Sequence, residues 1–396
     1  MVALWTLFAA STFLLYWIYD GYGRFLHLAV TVRNLTGHAG RKPQESEEGQ
    51  GTSDPGKLPS ITALLTVHNE QDTVERTLRN LLACDYPPDR LRIVVASDGS
   101  TDATNSIVQE MHHPQIALFT SPGLGKTATQ NMAVRDIESD ILLFVDADIS
   151  FEPQFLKSVA RSFAAPEVGA VDGRLLYPSR GGSAEVEGQG FYWKYELRLR
   201  DLESRLGILA VMTGACMSIR RELFVEMDPS IGEDCIVPLD IVQQGYRVIH
   251  ATSAQAVDRF EDGLGVTLRR RIRMTLRNWQ GTWTRPSLLN PFRYPRIAFA
   301  LWSHKLLRWL SPVFLLCAVA ASLAMVILSP SLITLAAFAP YATLLGMAGC
   351  GWIASRAGRR IPMTGTAFTF LLANIAFLVG VLGAIRGQRI RSYRNV

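Results

Sequence analysis

The chain has 396 residues, a net charge of +5 and an apolar fraction of 48%. Its length predicts a soluble unit joined to a second region of different composition. Every Asp and Glu precedes Gly263, whereas Lys and Arg continue to the C-terminus. A basic region that alternates with long apolar runs favours membrane lipids over nucleic acid as its partner. The five cysteines lack CxxC or Cys/His spacing, which argues against a zinc site or a disulfide framework.

The first apolar run, residues 2–19, carries no charge until Asp20 and is followed by Arg24 and Arg33. This pattern predicts a spanning helix within an N-terminal transmembrane segment, residues 1–35, with its C-terminal end inside. A signal peptide is the alternative, but no basic residue precedes the run and no small-x-small cleavage site follows it. Residues 36–57 are rich in Gly, Pro, Ser and Glu and are predicted to be a flexible linker.

Three β-rich runs follow at 61–69, 92–100 and 141–149, with helical patterns at 70–84 and 102–111 between them. Strands that alternate with helices predict an α/β fold with a parallel, doubly wound sheet, in a domain covering residues 58–262. Ligands bind outside the carboxyl ends of such strands. Each run ends in polar residues suited to a nucleotide site, namely His68, Glu70, Asp98, Asp146 and Asp148.

Aromatic and basic residues mix at helical spacing in residues 188–209 and 267–283. Both segments are predicted to be amphipathic helices in the membrane interface, the second within a basic region at 263–305; surface helices on the soluble domain are the alternative. A C-terminal transmembrane region, residues 306–396, contains three apolar spans at 306–328, 332–354 and 364–385. Arginine clusters at 356–360 and 386–394 both favour the cytoplasm, yet one spanning helix separates them, so one of these assignments must fail.

Asp146 and Asp148 lie two residues apart after an apolar strand, so both carboxylates can face one side. Such a pair can share Mg2+ or Mn2+ with a diphosphate, and the cation offsets the charge that grows on the leaving group. An ordinary Asp-rich turn is the alternative. The acidic residues at the other strand ends favour the metal site.

Three further sites are candidates for chemistry. Asp98 lies in SDGSTD, either as part of a structural turn or as an acceptor for a base or ribose in the same crevice as Glu70. Lys126 can reach phosphate oxygens, although a solvated lysine is the default. Glu233 or Asp234 can remove a proton from an acceptor hydroxyl, and a helix N-terminus that favours acids is the alternative.

Residues 116–127 followed by an apolar strand and Asp146 also resemble the phosphate loop of a P-loop NTPase. The consensus requires a glycine where Thr120 stands. That reading also leaves SDGSTD, the Glu233 and Asp234 pair and the arginine-rich helix unexplained, so it is kept as a distant alternative.

Taken together, the motifs resemble glycosyltransferase family 2, in the branch of membrane synthases of cellulose, hyaluronan and poly-N-acetylglucosamine. VHNE, SDGSTD, GKTATQN, FVDAD, TGACMSIRRELF, GED and RRRIR occur in that family's order from about Leu58 onward. The resemblance implies a GT-A type, Rossmann-like domain with interfacial and transmembrane helices. It assigns the uridine to His68, Glu70 and Asp98, and the metal-bound diphosphate to Asp146 and Asp148. Asp234 becomes the base, and the residues bordering the acceptor are Thr213, Gly214 and Cys216.

The family's interfacial helix usually carries Q/R-x-x-R-W, in which the basic residues bind the diphosphate and the tryptophan stacks on the acceptor. The match here is Arg270, Arg273 and then Met274, so the acceptor contacts are assigned to Trp279 and Gln280, with Trp283 as a substitute for Trp279. The missing platform favours transfer of a single sugar to a lipid over processive synthesis, and both remain open.

The resemblance implies a UDP-sugar donor, a polysaccharide or lipid-linked acceptor, and contact with membrane lipids. The catalytic domain is expected on the cytoplasmic side of the cell (inner) membrane. A partner subunit is possible, but the sequence does not indicate one.

Overall fold

The computed structural model describes residues 1–36, 58–177, 184–258, 264–357, 361 and 363–389, without the side chains of 184–191 and 264–267. The predicted linker from residue 37 onward lies outside the described residues. So do most residues of the two C-terminal arginine clusters.

The chain begins with α1 (Val2–Tyr16), one π-helical turn (Trp17–Gly21) and α2 (Tyr22–Leu35). Together they form a continuous apolar helix, Val2–Leu35, long enough to cross a membrane. Side chains of α2 pack with a later helix through Tyr22 and Leu26. The predicted N-terminal span is therefore helical.

The sheet contains eight strands. They are β1 (Ile61–Val67), β2 (Leu91–Asp98), β3 (Ile116–Ser121), β4 (Ile141–Val145), β5 (Ser150–Phe151), β6 (Val168–Leu176), β7 (Cys216–Arg220) and β8 (Arg247–Val257). Their order is β3-β2-β1-β4-β7-β6-β8-β5. β1 to β4 are parallel, but β7 runs antiparallel to β4 and β6. The prediction of a parallel sheet is right for the half that carries the strand-end motifs. In the other half β6 and β8 also pair in parallel, but β7 and β5 run antiparallel to their neighbours.

The parallel half is covered on both faces. Its helices are α3 (Val74–Leu82), α4 (Thr104–Glu110) and α5 (Lys126–Val134), while α6 (Phe155–Ser162) packs against β8 and β6. Every residue of β1 is buried, which fits a sequence that is apolar except for Thr62 and Thr66. Separate apolar clusters pack on the two faces, one around Leu65 and Leu78 and the other around Leu64 and Phe144. The carboxyl ends of β1, β2 and β4 are thereby fixed at one edge.

Three longer helices follow: α7 (Ala184–Leu206), α8 (Glu233–Gln243) and α9 (Leu264–Trp283). α7 contacts α2 and β8, and its Glu196, Arg200 and Glu203 are buried. It is therefore not a free surface helix. α9 packs against α8 and a C-terminal helix.

The C-terminal region comprises α10 (Pro295–Ala300), a π-helical segment (Leu301–Leu306), α11 (Leu307–Trp309), α12 (Ser311–Leu328), α13 (Leu332–Arg356) and α14 (Thr364–Ile385). The last three and the N-terminal helix are the four described helices that are long and apolar enough to cross a membrane. The span predicted from residue 306 begins instead at Ser311, because Arg308 is buried in contacts with α7.

The C-terminal end of α14 lies beside α9. Gly380 approaches Thr275, and the Gln280 amide donates to the Gln388 carbonyl at 2.7 Å. Since α9 also contacts α8, the residues that begin the second arginine cluster lie at the same end of the helical bundle as α8. The first cluster's residues 358–360 are outside the described residues.

Candidate active site

The DAD turn follows β4 directly. The Asp146 side chain is 37% exposed and Asp148 is exposed, whereas the intervening Ala147 is buried. The Thr77 hydroxyl of α3 donates to the Ala147 carbonyl and holds the turn. Alternation after a buried strand thus turns two carboxylates outward from the same sheet edge.

Lys126 links this turn to the distant acid pair. Its ammonium donates to Asp146 Oδ1 at 2.6 Å and also to Glu233 Oε1. Gly125, with φ of +99°, permits the tight turn that begins α5 and aims Lys126 at the two carboxylates. The folded chain therefore brings together Asp146 and Glu233, which lie far apart in sequence.

The acid pair opens α8. Glu233 is 3% exposed, and burial opposes its ionisation, yet the charges of Lys126 and Arg277 hold its pKa below the usual range. Asp234 behaves oppositely. Burial and the neighbouring Glu233 charge raise the pKa of Asp234, against the lowering effect of Arg277. The two adjacent carboxyl groups thus differ in pKa. Glu233 is the ion-pair partner of Lys126, and Asp234 is the more basic of the two.

Arg277 was not among the residues expected from the sequence. A Cβ built on Gly232 meets Asp234 Oδ1 at 2.7 Å and the Arg277 guanidinium at 3.2 Å, so both side chains flank Gly232. The Cys235 thiol also donates to Asp234 Oδ1 at 3.2 Å. Arg277 lies one helical turn beyond the expected Arg273, but several arginines of α9 share such spacing, so the sequence alone does not single it out.

One carboxylate oxygen of Asp98, a predicted donor-binding residue, is already engaged in hydrogen bonds within the fold. Its Oδ1 accepts from Ser121, the Gly125 amide and Thr129 at 3.2, 3.0 and 2.8 Å. The His68 ring meets the Asp98 carbonyl at 2.7 Å. No described residue donates to Oδ2, which is the oxygen left for a ligand.

Glu70 lies close enough to the DAD turn for the charges of Asp148 and Asp146 to act on its carboxyl group. Burial raises the pKa of Glu70, a hydrogen bond from Thr73 lowers it, and the charges of Asp148 and Asp146 raise it again. Glu70 Oε2 accepts from the Thr73 hydroxyl at 2.6 Å. Its carboxylate therefore belongs electrostatically with the aspartate pair.

Residues 62–227 match a family model described as glycosyl transferase family 2. These residues form a glycosyl transferase family 2 domain. The chain is accordingly a glycosyltransferase with a GT-A type fold and with helices suited to a membrane. The P-loop NTPase alternative is wrong.

Among curated proteins, the chain is 26% identical over 351 residues to an N-acetylglucosaminyltransferase of Sinorhizobium fredii, covering 82% of this chain and 80% of that protein. It is 24% identical to the poly-beta-1,6-N-acetyl-D-glucosamine synthase of Staphylococcus aureus, covering 55% of this chain and 54% of that protein. Among solved structures, the mannosyltransferase PcManGT of Pyrobaculum calidifontis, in complex with GDP-Man and Mn2+, aligns with a TM-score of 0.68 and 22% identity. That alignment covers 96% of this chain and 99% of that one, and it shows a shared fold.

A divalent cation fits the family 2 site on chemical grounds. No three His, Cys, Asp or Glu side chains of the described residues converge as ligands, but Asp146 and Asp148 present oxygen donors at an accessible edge. Mg2+ is commonly held by one or two carboxylates, with phosphate oxygens and water completing its shell. The clustered negative charge of Glu70 with these aspartates favours the same ligand.

The predicted acceptor residues of the family 2 domain differ in burial and in their distance from the acid pair. Gly214 lies against the acid pair, since a Cβ there meets Glu233 Oε1 at 3.0 Å. The preceding Thr213 is half-buried and accepts a hydrogen bond from Arg200. Cys216 is fully buried, with its thiol directed at the Gly173 carbonyl, so that side chain lies in the core and not at an acceptor surface.

On α9, the expected contacts diverge. Trp279 packs against Trp283 and Trp309, with ring centroids 6.0 Å apart in both pairs. Gln280 is directed at Gln388. The Trp279 ring is therefore engaged by other aromatic rings instead of standing alone as a platform.

The two arginines assigned to the diphosphate are half-buried. Arg270 lies close enough to Tyr177 to lower that phenol's pKa, which burial and Asp258 raise. Arg277 is the α9 arginine whose charge lowers the pKa of both members of the acid pair.

Proposed function

We propose that this chain moves a sugar from a UDP-sugar to an acceptor hydroxyl with inversion, assisted by Mg2+ or Mn2+, at the cytoplasmic face of the cell membrane. The observation that carries the proposal is the double contact of Lys126 with Asp146 and Glu233. It joins the candidate metal-binding turn to the candidate catalytic helix in one site.

In this proposal Asp146 and Asp148 hold the cation on the donor diphosphate. Bound there, the ion offsets the negative charge that develops on the departing diphosphate. Lys126 and Arg277 supply fixed positive charge beside the same site, where preorganised cations stabilise the transition state most effectively. Arg270 and Arg273 remain candidates for the outer part of the donor site.

Asp234 is the proposed base. Inversion needs a carboxylate that takes the proton from the attacking hydroxyl, and a raised pKa improves proton abstraction near neutral pH. Glu233 is buried against Lys126, so it serves the site by holding that cation. Gly214 allows the segment that carries it to approach the pair closely, because any side chain there would press on Glu233.

The acceptor is either a growing polysaccharide or a lipid. The similarity to the Sinorhizobium N-acetylglucosaminyltransferase and the Staphylococcus poly-N-acetylglucosamine synthase supports N-acetylglucosamine as the first sugar to test, and the second relative supports a polymer product. The engaged Trp279 ring supports a single addition, since a sliding chain needs an open stacking surface. Product length separates the two.

The direct test uses purified full-length protein in detergent. UDP-GlcNAc, UDP-glucose and GDP-mannose are supplied with Mg2+ or Mn2+ and with either a GlcNAc tetramer or dioleoylglycerol, and nucleotide release and product mass are measured. We expect the protein to release UDP from a UDP-sugar, and we expect this release to require the metal. A protein that releases nucleotide from none of these donors contradicts the proposal.

Two variants divide the roles. Asp234→Asn should retain UDP binding and lose transfer by about 100-fold or more. Asp146→Ala should instead weaken metal-dependent UDP binding. Wild-type turnover by Asp234→Asn removes the base assignment, and equal UDP affinity with and without metal in both the wild-type protein and Asp146→Ala removes the chelate.

A further inference from the structure

A continuous chain of buried ion pairs runs from the helical segment before α12 to the segment that carries Thr213. His304 sits between two carboxylates of α7: its Nε2 lies 3.0 Å from Glu196 Oε2, and its Nδ1 lies 2.9 Å from both oxygens of Glu203. Both ring nitrogens of His304 therefore lie within hydrogen-bond distance of glutamate side chains of α7.

The chain continues through α7. Glu196 Oε1 accepts from Arg200 Nε at 3.2 Å, while its Oε2 also accepts from Arg308 at 2.7 Å. Arg200 Nη1 reaches Asp172 Oδ2 on β6 at 3.1 Å. Each of these side chains is at most 6% exposed, so water does not screen their contacts.

The far end of the chain contacts the segment 207–215 at Thr213. Asp172 Oδ1 accepts from the Thr213 amide at 2.7 Å, and Arg200 donates to the Thr213 hydroxyl. His250 adds a third contact to Asp172 at 2.9 Å. The next residue, Gly214, is the one that lies against Glu233.

We propose that His304 is a positioning residue, which through Glu196, Arg200 and Asp172 sets the segment 207–215 against the acid pair of α8. This inference rests on the proposed function for its kinetic part, because it assigns that segment to the acceptor side. It makes the helix leading into the membrane bundle part of the acceptor site. The donor side, built from β1, β2 and β4, stands outside the chain of ion pairs.

His304→Gln and Glu196→Gln test this. His304→Gln removes the imidazole that bridges Glu196 and Glu203. Glu196→Gln removes the carboxylate that bridges Arg200 and His304. Both variants keep a polar side chain of similar size. Arg205→Gln is the matched control, since Arg205 also lies on α7 and pairs with a carboxylate four residues away, but is 42% exposed.

The first measurement is amide hydrogen exchange by mass spectrometry on the full-length protein. Exchange of peptides covering 207–215 should accelerate about tenfold in His304→Gln and Glu196→Gln, and should not change in Arg205→Gln. Peptides of β1 should keep wild-type protection in all three variants. Unchanged protection of 207–215 in the two test variants overturns the inference, and so does an equal loss of protection in β1.

The second measurement separates positioning from general damage. The KM for the GlcNAc tetramer or dioleoylglycerol should rise about fivefold or more in the test variants, while the KM for the UDP-sugar stays within about twofold. Equal rises in both constants overturn the inference. Hydrogen exchange needs no turnover, so a wild-type protein without transferase activity refutes the proposed function, and exchange of 207–215 still decides this inference.

Discussion

Gly232→Ala should displace the proposed base without unfolding the protein. Gly232 has φ of −74° and ψ of 148°, which alanine adopts freely, so no backbone strain is expected. The added Cβ would stand 2.7 Å from Asp234 Oδ1 and 3.2 Å from the Arg277 guanidinium. An ordinary contact between carbon and oxygen is about 3.3 Å, so the Asp234 carboxylate must move by about 0.6 Å or rotate.

That displacement fixes the expected magnitude. A misplacement of about 1 Å in a catalytic group costs about 100-fold in rate, so a move of about 0.6 Å should lower kcat by about tenfold to 100-fold. Rotation of one side chain away from its preferred rotamer costs only about 1 kcal/mol of stability. UDP affinity should stay near the wild-type value, because the donor contacts at β1, β2 and β4 are not touched.

The assay measures kcat, donor KM and the thermal unfolding midpoint of Gly232→Ala beside Gly349→Ala. Gly349 lies in α13, and a Cβ there meets nothing within 4 Å, so this control adds a methyl group without a clash. Wild-type kcat in Gly232→Ala, an equal fall in the control, or a loss confined to UDP binding would refute the assignment of Asp234 as the base.

Three further predictions use the charges around the acid pair and the buried network. Because the pKa of Asp234 is raised, kcat should begin to fall at a higher pH than an aspartate of ordinary pKa would give. Arg277→Gln removes a charge that lowers this pKa, so it should shift the acidic limb of the kcat profile to still higher pH. An unshifted profile in Arg277→Gln contradicts this prediction. Lys126→Met removes the main cation that holds down the pKa of Glu233, so transfer should fall about tenfold or more and the residual activity should need higher pH; wild-type rates at neutral pH would contradict this. The folded-state pKa of Asp172 is lowered despite its burial, so the carboxylate stabilises the fold above its unfolded pKa, near 4, and that contribution is lost as pH falls through the folded value. Asp172→Asn should be less stable at neutral pH, and its unfolding midpoint should depend less on acid; parallel curves for variant and wild type would argue against it.

The strand-end motifs could be predicted because a local rule governs them. An apolar run long enough for one strand, followed by a polar residue, fixes where the side chain emerges, and parallel pairing brings several such ends to one edge. Asp146, Asp98 and Glu70 emerge at that edge for this reason. The rule does not say which oxygen remains for a ligand, and Asp98 uses one of its two oxygens to hold the turn before α5.

The antiparallel direction of β7 and the position of Arg277 needed information that no local pattern contains. β7 follows a long helix and an irregular segment, so its direction depends on how that connection packs. On α9, several arginines share the same helical spacing, and only the contact of Gly281 with Cys235 fixes which of them faces α8. A period of 3.6 residues predicts a face, but the choice of partner for that face belongs to tertiary packing.

The polar residues of α7 are a second case in which the local pattern did not predict the tertiary contacts. Their spacing predicted a polar face turned to water or lipid headgroups, yet Glu196, Arg200 and Glu203 are buried and paired. Breaking one member of a buried pair costs about 3–5 kcal/mol, although an apolar replacement of all members can be neutral or stabilising. Stability alone therefore does not account for such a network, whereas a requirement for one fixed geometry does. Directional contacts that end on the Thr213 amide can set the distance between the 207–215 segment and Glu233 in a way that apolar packing, which tolerates repacking, cannot.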